Sequence, residues 1–298
     1  MLIIGLALGA RNLPIIIWHG LGDDCCSDEG MQMLIGTLEK TLNRTIYSVK
    51  IGGSQFQDKW HSLFDNSNRQ VDLLCKDLGS RRELESGFDA IGLSQGGQLF
   101  RAYVERCNYP PVRRLITLGS QHYGITDFPG CAKQERTNKV GSIEWNPKYP
   151  KCSWWKQLAR NGAFIYSKKI QESILPAQYF RDPQRLGLYL EKNKFLADIN
   201  NELPAKNKTY KENMAKLERF VMYKFKEEEV VVPAVSSWFG LYEKGREVGL
   251  RDTELYREDW IGLRDLDEGG RLVTKEIPGV HMNITSEFIN QELIFQLQ

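Results

Sequence analysis

The chain has 298 residues, of which 41% are hydrophobic, and its 40 basic and 38 acidic residues leave a formal net charge of +2. These values exclude a disordered chain, which combines few apolar residues with a high net charge, and they give no sign of a strongly basic nucleic-acid-binding surface. The length suits one large α/β domain, and we expect such a domain with an elaborated insertion.

The N-terminal segment, Met1–Ala10, is an apolar run that ends in small residues. It resembles the end of a secretory signal peptide that lacks the usual basic start, and it is too short to span a bilayer. The sequence leaves two interpretations open: a signal segment truncated at its start, or a first buried strand.

Apolar patterns then predict alternating strands and helices. Strands, several of them continuous apolar runs typical of burial on both faces, are predicted over 13–18, 46–51, 88–91, 112–118, 219–225 and 272–277. Helical spacing predicts helices over 31–42, 64–78, 98–106 and 284–297. This order is that of a mostly parallel sheet with helices on both faces.

The alternation stops between residues 124 and 218, where aromatic residues lie within mostly helical or loop-like sequence. We therefore expect an α/β core formed by 11–123 and 219–298 and a largely helical insertion at 124–218. The insertion forms either a lid or acyl-binding groove, which its position favours, or a second small core.

The cysteines and the glycosylation sequons bear on the compartment. Six cysteines include an adjacent pair at 25 and 26 but no C-x-x-C spacing. This pattern favours disulfides over a zinc site or a redox motif, and we expect neither a metal nor a cofactor. Three N-x-S/T sequons, at Asn43, Asn207 and Asn283, are compatible with passage through the secretory pathway.

The segment Gly92–Gly96 has the pattern G-x-S-x-G between a predicted strand and a predicted helix. That is the context of a nucleophile elbow, in which the serine occupies a strained turn and the glycines let the strand and helix backbones approach. A glycine-rich surface turn is the alternative, and the strand before and helix after favour the elbow. Ser94 is therefore the candidate nucleophile.

A second glycine-rich turn, His19–Asp23, follows the first predicted strand. α/β-Hydrolases place there the loop that supplies one N–H donor to the oxyanion, so the backbone of Leu21 is a candidate donor, unless this is a plain strand-to-helix turn. The backbone N–H of Gln95, immediately after the nucleophile, is the second candidate.

Acyl transfer by a serine needs a base and an acid that orients the base. In α/β-hydrolases the chain order is serine, acid, histidine. Of the four histidines, only His281 follows both Ser94 and an acidic strand end, so it is the candidate base. Order alone does not select the acid, which could be Glu227, Glu228, Glu229, Asp252, Asp259, Asp265 or Asp267.

Together these residues resemble the palmitoyl-protein thioesterase family, lysosomal enzymes that remove fatty acyl groups from the cysteines of lipidated proteins. The adjacent cysteines after the oxyanion loop favour the first branch of that family. The resemblance runs from about Pro14 to the last helix, and the matching segments are Trp18–Cys26, Gly92–Gln98, Phe195–Asn200, Trp238–Gly240 and Leu255–Asp259.

The resemblance implies Ser94 as nucleophile, His281 as base, and the amides of Leu21 and Gln95 as the oxyanion hole. Counting back from the matched tryptophan at 238 places the family's aspartate on Glu228. Glutamate is one methylene longer, so the strand end must shift for it to reach the imidazole, and a neighbouring acid stays open.

The resemblance also implies disulfides Cys25–Cys26, Cys75–Cys107 and Cys131–Cys152, and an acyl groove in the 124–218 insertion. The segment between Cys131 and Cys152 is longer than in the family, so the third pairing is inferred rather than matched.

The sequence thus predicts an α/β-hydrolase that cleaves palmitoyl and other long-chain acyl thioesters through an acyl-enzyme. The expected partners are S-acylated proteins or peptides and palmitate, without nucleic acid or a stable membrane span. The expected location is the lysosome, reached through the secretory pathway, with secretion as a further route. The alternatives are a lipase or carboxylesterase that acts on oxygen esters, and a catalytically silent lipid-binding relative.

Overall fold

The central sheet is the frame of the molecule. The computed structural model describes residues 12–127 and 162–298. Within these ranges the strands are β1 (Ile15–Trp18), β2 (Ile46–Ser48), β3 (Phe88–Leu93), β4 (Val112–Leu118), β5 (Arg219–Glu227), β6 (Leu241–Glu243), β7 (Arg246–Val248) and β8 (Leu272–Val280). Six of them form one parallel sheet in the order β2-β1-β3-β4-β5-β8, and β6 and β7 form a separate antiparallel hairpin.

Four helices of the first half connect these strands: α1 (Met33–Leu42), α2 (Gln55–His61), α3 (Ser67–Gly79) and α4 (Gln95–Arg106). Short helices follow at Gly162–Ile165, Lys168–Ser173, Leu175–Gln178, Leu186–Lys192, Leu196–Ile199, Lys208–Met214, Glu254–Arg257 and Leu263–Glu268. The chain ends in a helix with three segments, Ser286–Phe288, the π-helical Ile289–Leu293 and Ile294–Leu297. Single 3₁₀ turns occur at Arg82–Leu84, Ala234–Trp238 and Leu250–Asp252, and a π-helical turn, Asp28–Gln32, precedes α1.

The sheet is buried on both faces, which explains its continuous apolar runs. Along β1, Ile16 and Trp18 pack into the apolar cluster under α3 and α4, whereas Ile15 and Ile17 pack into the cluster under α1 and the C-terminal helix. Because successive strand side chains point to opposite faces, only an apolar residue at every position satisfies both clusters. The predicted fold, an α/β-hydrolase sheet with helices on both faces, is confirmed.

The predicted elements agree with the structure except at some ends. The strand over 112–118 has the predicted bounds, β1 begins two residues later than predicted, and β2 ends at Ser48 rather than Ile51. β5 and β8 run on to Glu227 and Val280. The hairpin and short helices between 241 and 268 were not predicted, because their short and largely polar sequences show no apolar periodicity.

The described parts of the predicted insertion are 124–127 and 162–218, and the second of these holds short helices. Two of the expected disulfides, Cys25–Cys26 and Cys75–Cys107, are present. The third pair, Cys131 and Cys152, and the segment 1–11 lie outside the described residues. None of the helices in the described ranges has the length and apolar character needed to cross a membrane.

Candidate active site

Ser94 lies on a sharp turn between β3 and α4. Its backbone has φ 49° and ψ −119°, a strained conformation for a residue with a side chain. A Cβ on Gly92 would lie 2.1 Å from the Cα of Gly97, and one on Gly96 would lie 2.2 Å from the carbonyl oxygen of Trp18. Glycine is therefore required at both flanking positions of the motif, as a nucleophile elbow demands.

His281 and Glu228 form a hydrogen-bonded line with Ser94. The Nε2 atom of His281 lies 3.0 Å from the Oγ atom of Ser94, and its Nδ1 atom lies 2.8 Å from Oε2 of Glu228. Since the carboxylate accepts at Nδ1, the proton belongs on Nδ1 and Nε2 is left as the acceptor for the serine hydroxyl. The three side chains have the arrangement of a nucleophile, a general base and an orienting acid.

Glu228 is held in place by the backbone that follows it. The side chain is buried, and its Oε1 atom accepts hydrogen bonds from the amides of Val230 at 2.8 Å and Val231 at 3.0 Å. Both carboxylate oxygens are thus engaged, one by the histidine and one by the chain, so the acid has a fixed orientation.

The other acids that chain order left open lie elsewhere. Glu227 accepts a hydrogen bond from the amide of Gly279, and Glu229 is exposed. Asp252 is also exposed. Ion pairs engage the rest: Asp259 and Asp265 pair with Lys211, and Asp267 pairs with Arg251.

His122 and His61 make contacts away from Ser94. His122 is fully buried, stacks on Phe239 at 4.7 Å between ring centroids, and has its Nε2 atom 3.0 Å from the hydroxyl of Thr117. Burial holds the pKa of His122 well below its usual value, so the ring is neutral. His61 lies 3.1 Å from Asp65.

The turn after β1 lies directly beside the serine. A Cβ on Gly20 would stand 3.1 Å from the Cβ of Ser94. Gln95 is the first residue of α4, so its amide is one of the N-terminal donors that a helix leaves without an internal acceptor. Its side chain is fixed as well, since it donates to the carbonyl of Ser62 and accepts from the hydroxyl of Tyr179. This placement fits an oxyanion hole made by Leu21 and Gln95.

Asp58, which was not predicted from the sequence, binds the turn after β1. It is completely buried on α2, and its carboxylate accepts from the amide of Cys25 at 2.7 Å and from the amide of Ile51 at 2.6 Å. The same carboxylate lies 3.2 Å from Nε2 of His19. Burial lowers the pKa of His19, but the hydrogen bond and charge of Asp58 outweigh burial and raise that pKa above its usual value.

Ser62, at the end of α2, is a second missed residue. Its hydroxyl accepts a hydrogen bond of 2.9 Å from the amide of Gly22. The sequence holds no signal for Asp58 or Ser62, because the amides of Cys25 and Gly22 that they bind lie 33 and 40 residues away.

A cavity of about 300 Å³ opens beside Ser94 and His281. Its walls are mostly apolar and come from α1, from the turn after β5 and from the residues after His281. The lining includes Met33, Leu34, Val230, Val231, Met282 and Ile284, with Ile125 and Tyr179 from the 124–218 region. In the described part of the chain, no three His, Cys, Asp or Glu side chains are grouped so that they could hold a metal ion.

Comparison with known proteins identifies the family. A family model described as palmitoyl protein thioesterase matches residues 14–281. Palmitoyl-protein thioesterase 1 of Caenorhabditis elegans is 34% identical over 95% of this chain and 91% of its own length. Palmitoyl-protein thioesterase 3 of Dictyostelium discoideum is 32% identical over 91% of this chain and 86% of its own length.

A relative of another name in Drosophila melanogaster, the lysosomal thioesterase PPT2 homolog, is 30% identical over 90% of this chain and 85% of its own length. The similarity to all three relatives covers nearly the whole chain, as the sequence motifs had indicated. The chain belongs to the palmitoyl protein thioesterase family.

Proposed function

We propose that this chain is a serine hydrolase that removes palmitoyl and related long-chain acyl groups from cysteine thioesters. The observation that carries the proposal is the hydrogen-bonded line from Ser94 through His281 to Glu228 beside an apolar cavity. Family membership supplies the substrate class, and the site supplies the means to cleave an acyl bond.

In the first step, Nε2 of His281 takes the proton of the Ser94 hydroxyl while Oγ attacks the thioester carbonyl. Ionised Glu228 stabilises the imidazolium that forms. The tetrahedral oxyanion is stabilised by the amides of Leu21 and Gln95. Collapse breaks the carbon–sulfur bond, and the imidazolium returns a proton to the departing sulfur.

A thiol needs little help to leave, because its pKa of about 8.5 is far below that of an alcohol. Water then attacks the acyl carbonyl and gives a proton to Nε2 of His281. Collapse of this second tetrahedral intermediate breaks the ester bond to Oγ, the imidazolium returns the proton to Ser94, and the fatty acid leaves. No step requires a group other than these residues and water.

We assign the acyl chain to the apolar cavity. Met33 and Leu34 form one wall, and Val230, Val231 and Ile284 form the other. The 124–218 region contributes Ile125 and Tyr179 to it. An alkyl chain bound there places its carbonyl at Ser94.

We propose a lysosomal location, reached through the secretory pathway. The two disulfides fit an oxidising route, and the relative in Drosophila carries the word lysosomal in its name. The three sequon asparagines, Asn43, Asn207 and Asn283, are all exposed, as glycan acceptors must be.

The test is steady-state hydrolysis of a palmitoyl-cysteine peptide beside a matched palmitoyl oxygen ester, with Ser94→Ala as the blank for both. A strong preference for the thioester supports the proposal. Equal or reversed preference indicates a lipase or carboxylesterase. Failure of a fluorophosphonate probe to label Ser94 would identify a catalytically silent relative.

A further inference from the structure

Three aromatic side chains form an exposed row on and just after α2. Phe56, Trp60 and Phe64 are spaced four residues apart, and they are 75%, 51% and 38% exposed. The spacing places the first two on one helix face, and the rings of Trp60 and Phe64 are in contact, with centroids 4.6 Å apart. We call this row the aromatic stripe. Apolar side chains grouped in solvent in this way mark a binding surface more often than scattered ones do.

The exposed charges within residues 50–64, the stretch that carries the aromatic stripe, are positive. Lys50 and Lys59 are exposed, whereas Asp58, the one carboxylate between residues 50 and 64, is fully buried and bonds inward. An aromatic row whose own stretch, residues 50–64, exposes two lysines and no carboxylate complements a surface with an apolar interior beneath an anionic outer layer. The interface of a bilayer that contains anionic lipids has that character.

The opposite side of α2 holds the active-site turn. Asp58 bonds the amide of Cys25, and Ser62 bonds the amide of Gly22, while Leu21 in the same turn lines the cavity beside Ser94. A surface that binds the aromatic stripe is therefore separated from the wall of the cavity by one helix.

The size of the aromatic stripe favours a lipid surface over a second copy of the chain. Three aromatic side chains of 150–250 Å² each, exposed to this degree, present roughly 350 Å² in total. A stable protein interface covers about 800 Å² on each partner. Insertion of a few aromatic rings at headgroup depth needs no larger area, and nearby lysines add attraction to anionic lipids.

We propose that the aromatic stripe docks this enzyme onto membranes that contain anionic lipids, so that acylated cysteines at the bilayer surface are presented to the cavity. The proposal rests on the proposed function for its purpose, but the docking itself can be measured without catalysis. Phe56 and Trp60 enter the interface, and Lys50 and Lys59 contact the lipid phosphates and carboxylates.

The test is flotation of the full chain with vesicles of phosphatidylcholine alone or with about 30% phosphatidylserine, carried out on the Ser94→Ala variant so that turnover plays no part. We expect binding to the mixed vesicles and at least tenfold weaker binding after Phe56→Ser with Trp60→Ser. The matched control is Tyr109→Ser with Phe295→Ser, since these rings are 59% and 64% exposed but lie elsewhere. A further variant, Lys50→Gln with Lys59→Gln, should lose the preference for anionic vesicles.

With Ser94 intact, the Phe56→Ser, Trp60→Ser variant should hydrolyse a soluble acyl-cysteine peptide at the unaltered rate and a vesicle-bound palmitoyl peptide at least tenfold more slowly. Equal flotation of the aromatic-stripe and control variants would overturn the proposal. So would absence of binding to either vesicle. Concentration-dependent dimerisation that the aromatic-stripe variant loses would overturn it in favour of a second copy. If the chain with Ser94 intact floats with the mixed vesicles but hydrolyses neither acyl-cysteine peptide, the docking stands and only the proposed function is contradicted.

Discussion

The Oε2 atom of Glu228 lies 2.8 Å from the Nδ1 atom of His281. A glutamate reaches the imidazole here although the resemblance places an aspartate, one methylene shorter, at this position. The register of β5 against β8 shifts between Phe225 and Glu227, immediately before the acid. Such an irregularity bends a strand end and redirects the next side chain, which accommodates the extra methylene.

Glu228→Gln should therefore lower kcat by about 10³–10⁴-fold, with little effect on KM. The amide can present its NH₂ group to Nδ1, which favours the tautomer that cannot accept the serine proton at Nε2. Glu228→Asp should retain part of the activity, because the charge stays but falls short of the imidazole. Glu229→Gln, an exposed neighbour, is the matched control. Steady-state kinetics on an acyl-cysteine peptide would assign the acid elsewhere if Glu228→Gln kept full activity.

The sequence predicts the parts of this site that depend on local pattern. Ser94 is found through its glycines and His281 through chain order, and the structure brings the two within hydrogen-bond distance. Glu228 could not be chosen from order alone, since chain order left seven candidate acids open. Only the resemblance selected it, and its catalytic role stays a prediction.

What the sequence could not predict depends on contacts between distant residues. The buried state of Asp58 arises because two separate segments meet its carboxylate, the loop after β1 with His19 and Cys25 and the residue Ile51 after β2. Nothing in the local sequence distinguishes this aspartate from an exposed one. The sheet was predictable for the opposite reason, because burial on both faces leaves a continuous apolar run in each strand.

Asp58→Asn should lower kcat by roughly 10–100-fold while KM changes little, because removing one oxyanion donor costs about 10²–10³-fold and this change only displaces the donor loop. In the variant, the NH₂ group of the asparagine replaces one carboxylate oxygen and faces a backbone N–H, so two donors oppose each other and one hydrogen bond is lost. His19 would also lose its charged partner. Asp58 acts as a positioning residue in this argument, since it does not touch the reacting atoms.

The measurement for Asp58→Asn is kcat per active site, with sites counted by fluorophosphonate labelling, so that unfolded protein does not enter. Asp77→Asn is the matched control, because this aspartate lies on α3, is 52% exposed and pairs only with the nearby Arg81 among the ion pairs of the described residues. An unchanged kcat per labelled site, with only the thermal midpoint lowered, would show that Asp58 serves the fold and not the oxyanion loop.

Met33→Trp should shorten the acyl chain that the enzyme prefers. The larger side chain would fill part of the 300 Å³ cavity, and each methylene denied burial costs about 0.8 kcal/mol, so exclusion of three lowers kcat/KM for a palmitoyl thioester roughly 50-fold. A hexanoyl thioester should be affected little. Leu73→Trp, on the exposed side of α3, is the control. The measurement is the ratio of kcat/KM for the palmitoyl thioester to kcat/KM for the hexanoyl thioester. If Met33→Trp left this ratio unchanged and Ile125→Trp lowered it, the acyl chain would lie toward the 124–218 region instead.

We expect Glu105 to contribute to the pH dependence of stability. This side chain is fully buried beside Arg101, and burial raises its pKa to about 7, with Arg101 only partly opposing the shift. The folded chain thus holds this proton more tightly than the unfolded chain. The stability from Glu105 is fully present below pH 4.5, the ordinary value of its pKa, and is lost as the pH rises through about 7.

Two histidines contribute to the same pH window with opposite signs. The raised pKa of His19 adds stability that is present below its ordinary value of 6.5 and is lost at higher pH. The lowered pKa of His122 adds stability that is present above 6.5 and is lost as the pH falls toward its folded value. The pH dependence of the stability of the whole chain therefore combines several contributions, and a variant of Glu105 is needed to isolate the contribution of this residue.

Glu105→Gln should remove the part of the pH dependence of stability that comes from this residue. At pH 5 glutamine matches the protonated glutamate in shape and charge, so the two proteins should unfold within a few degrees of each other. Between pH 5 and pH 8 the wild-type midpoint should fall by several degrees relative to that of the variant, because only the wild type must ionise a buried group. Thermal unfolding followed by circular dichroism at both pH values measures this difference, with Glu83→Gln at an exposed site as the control. Parallel midpoints for wild type and Glu105→Gln across the range would mean that Glu105 is ionised in the fold throughout, with Arg101 compensating its charge in full.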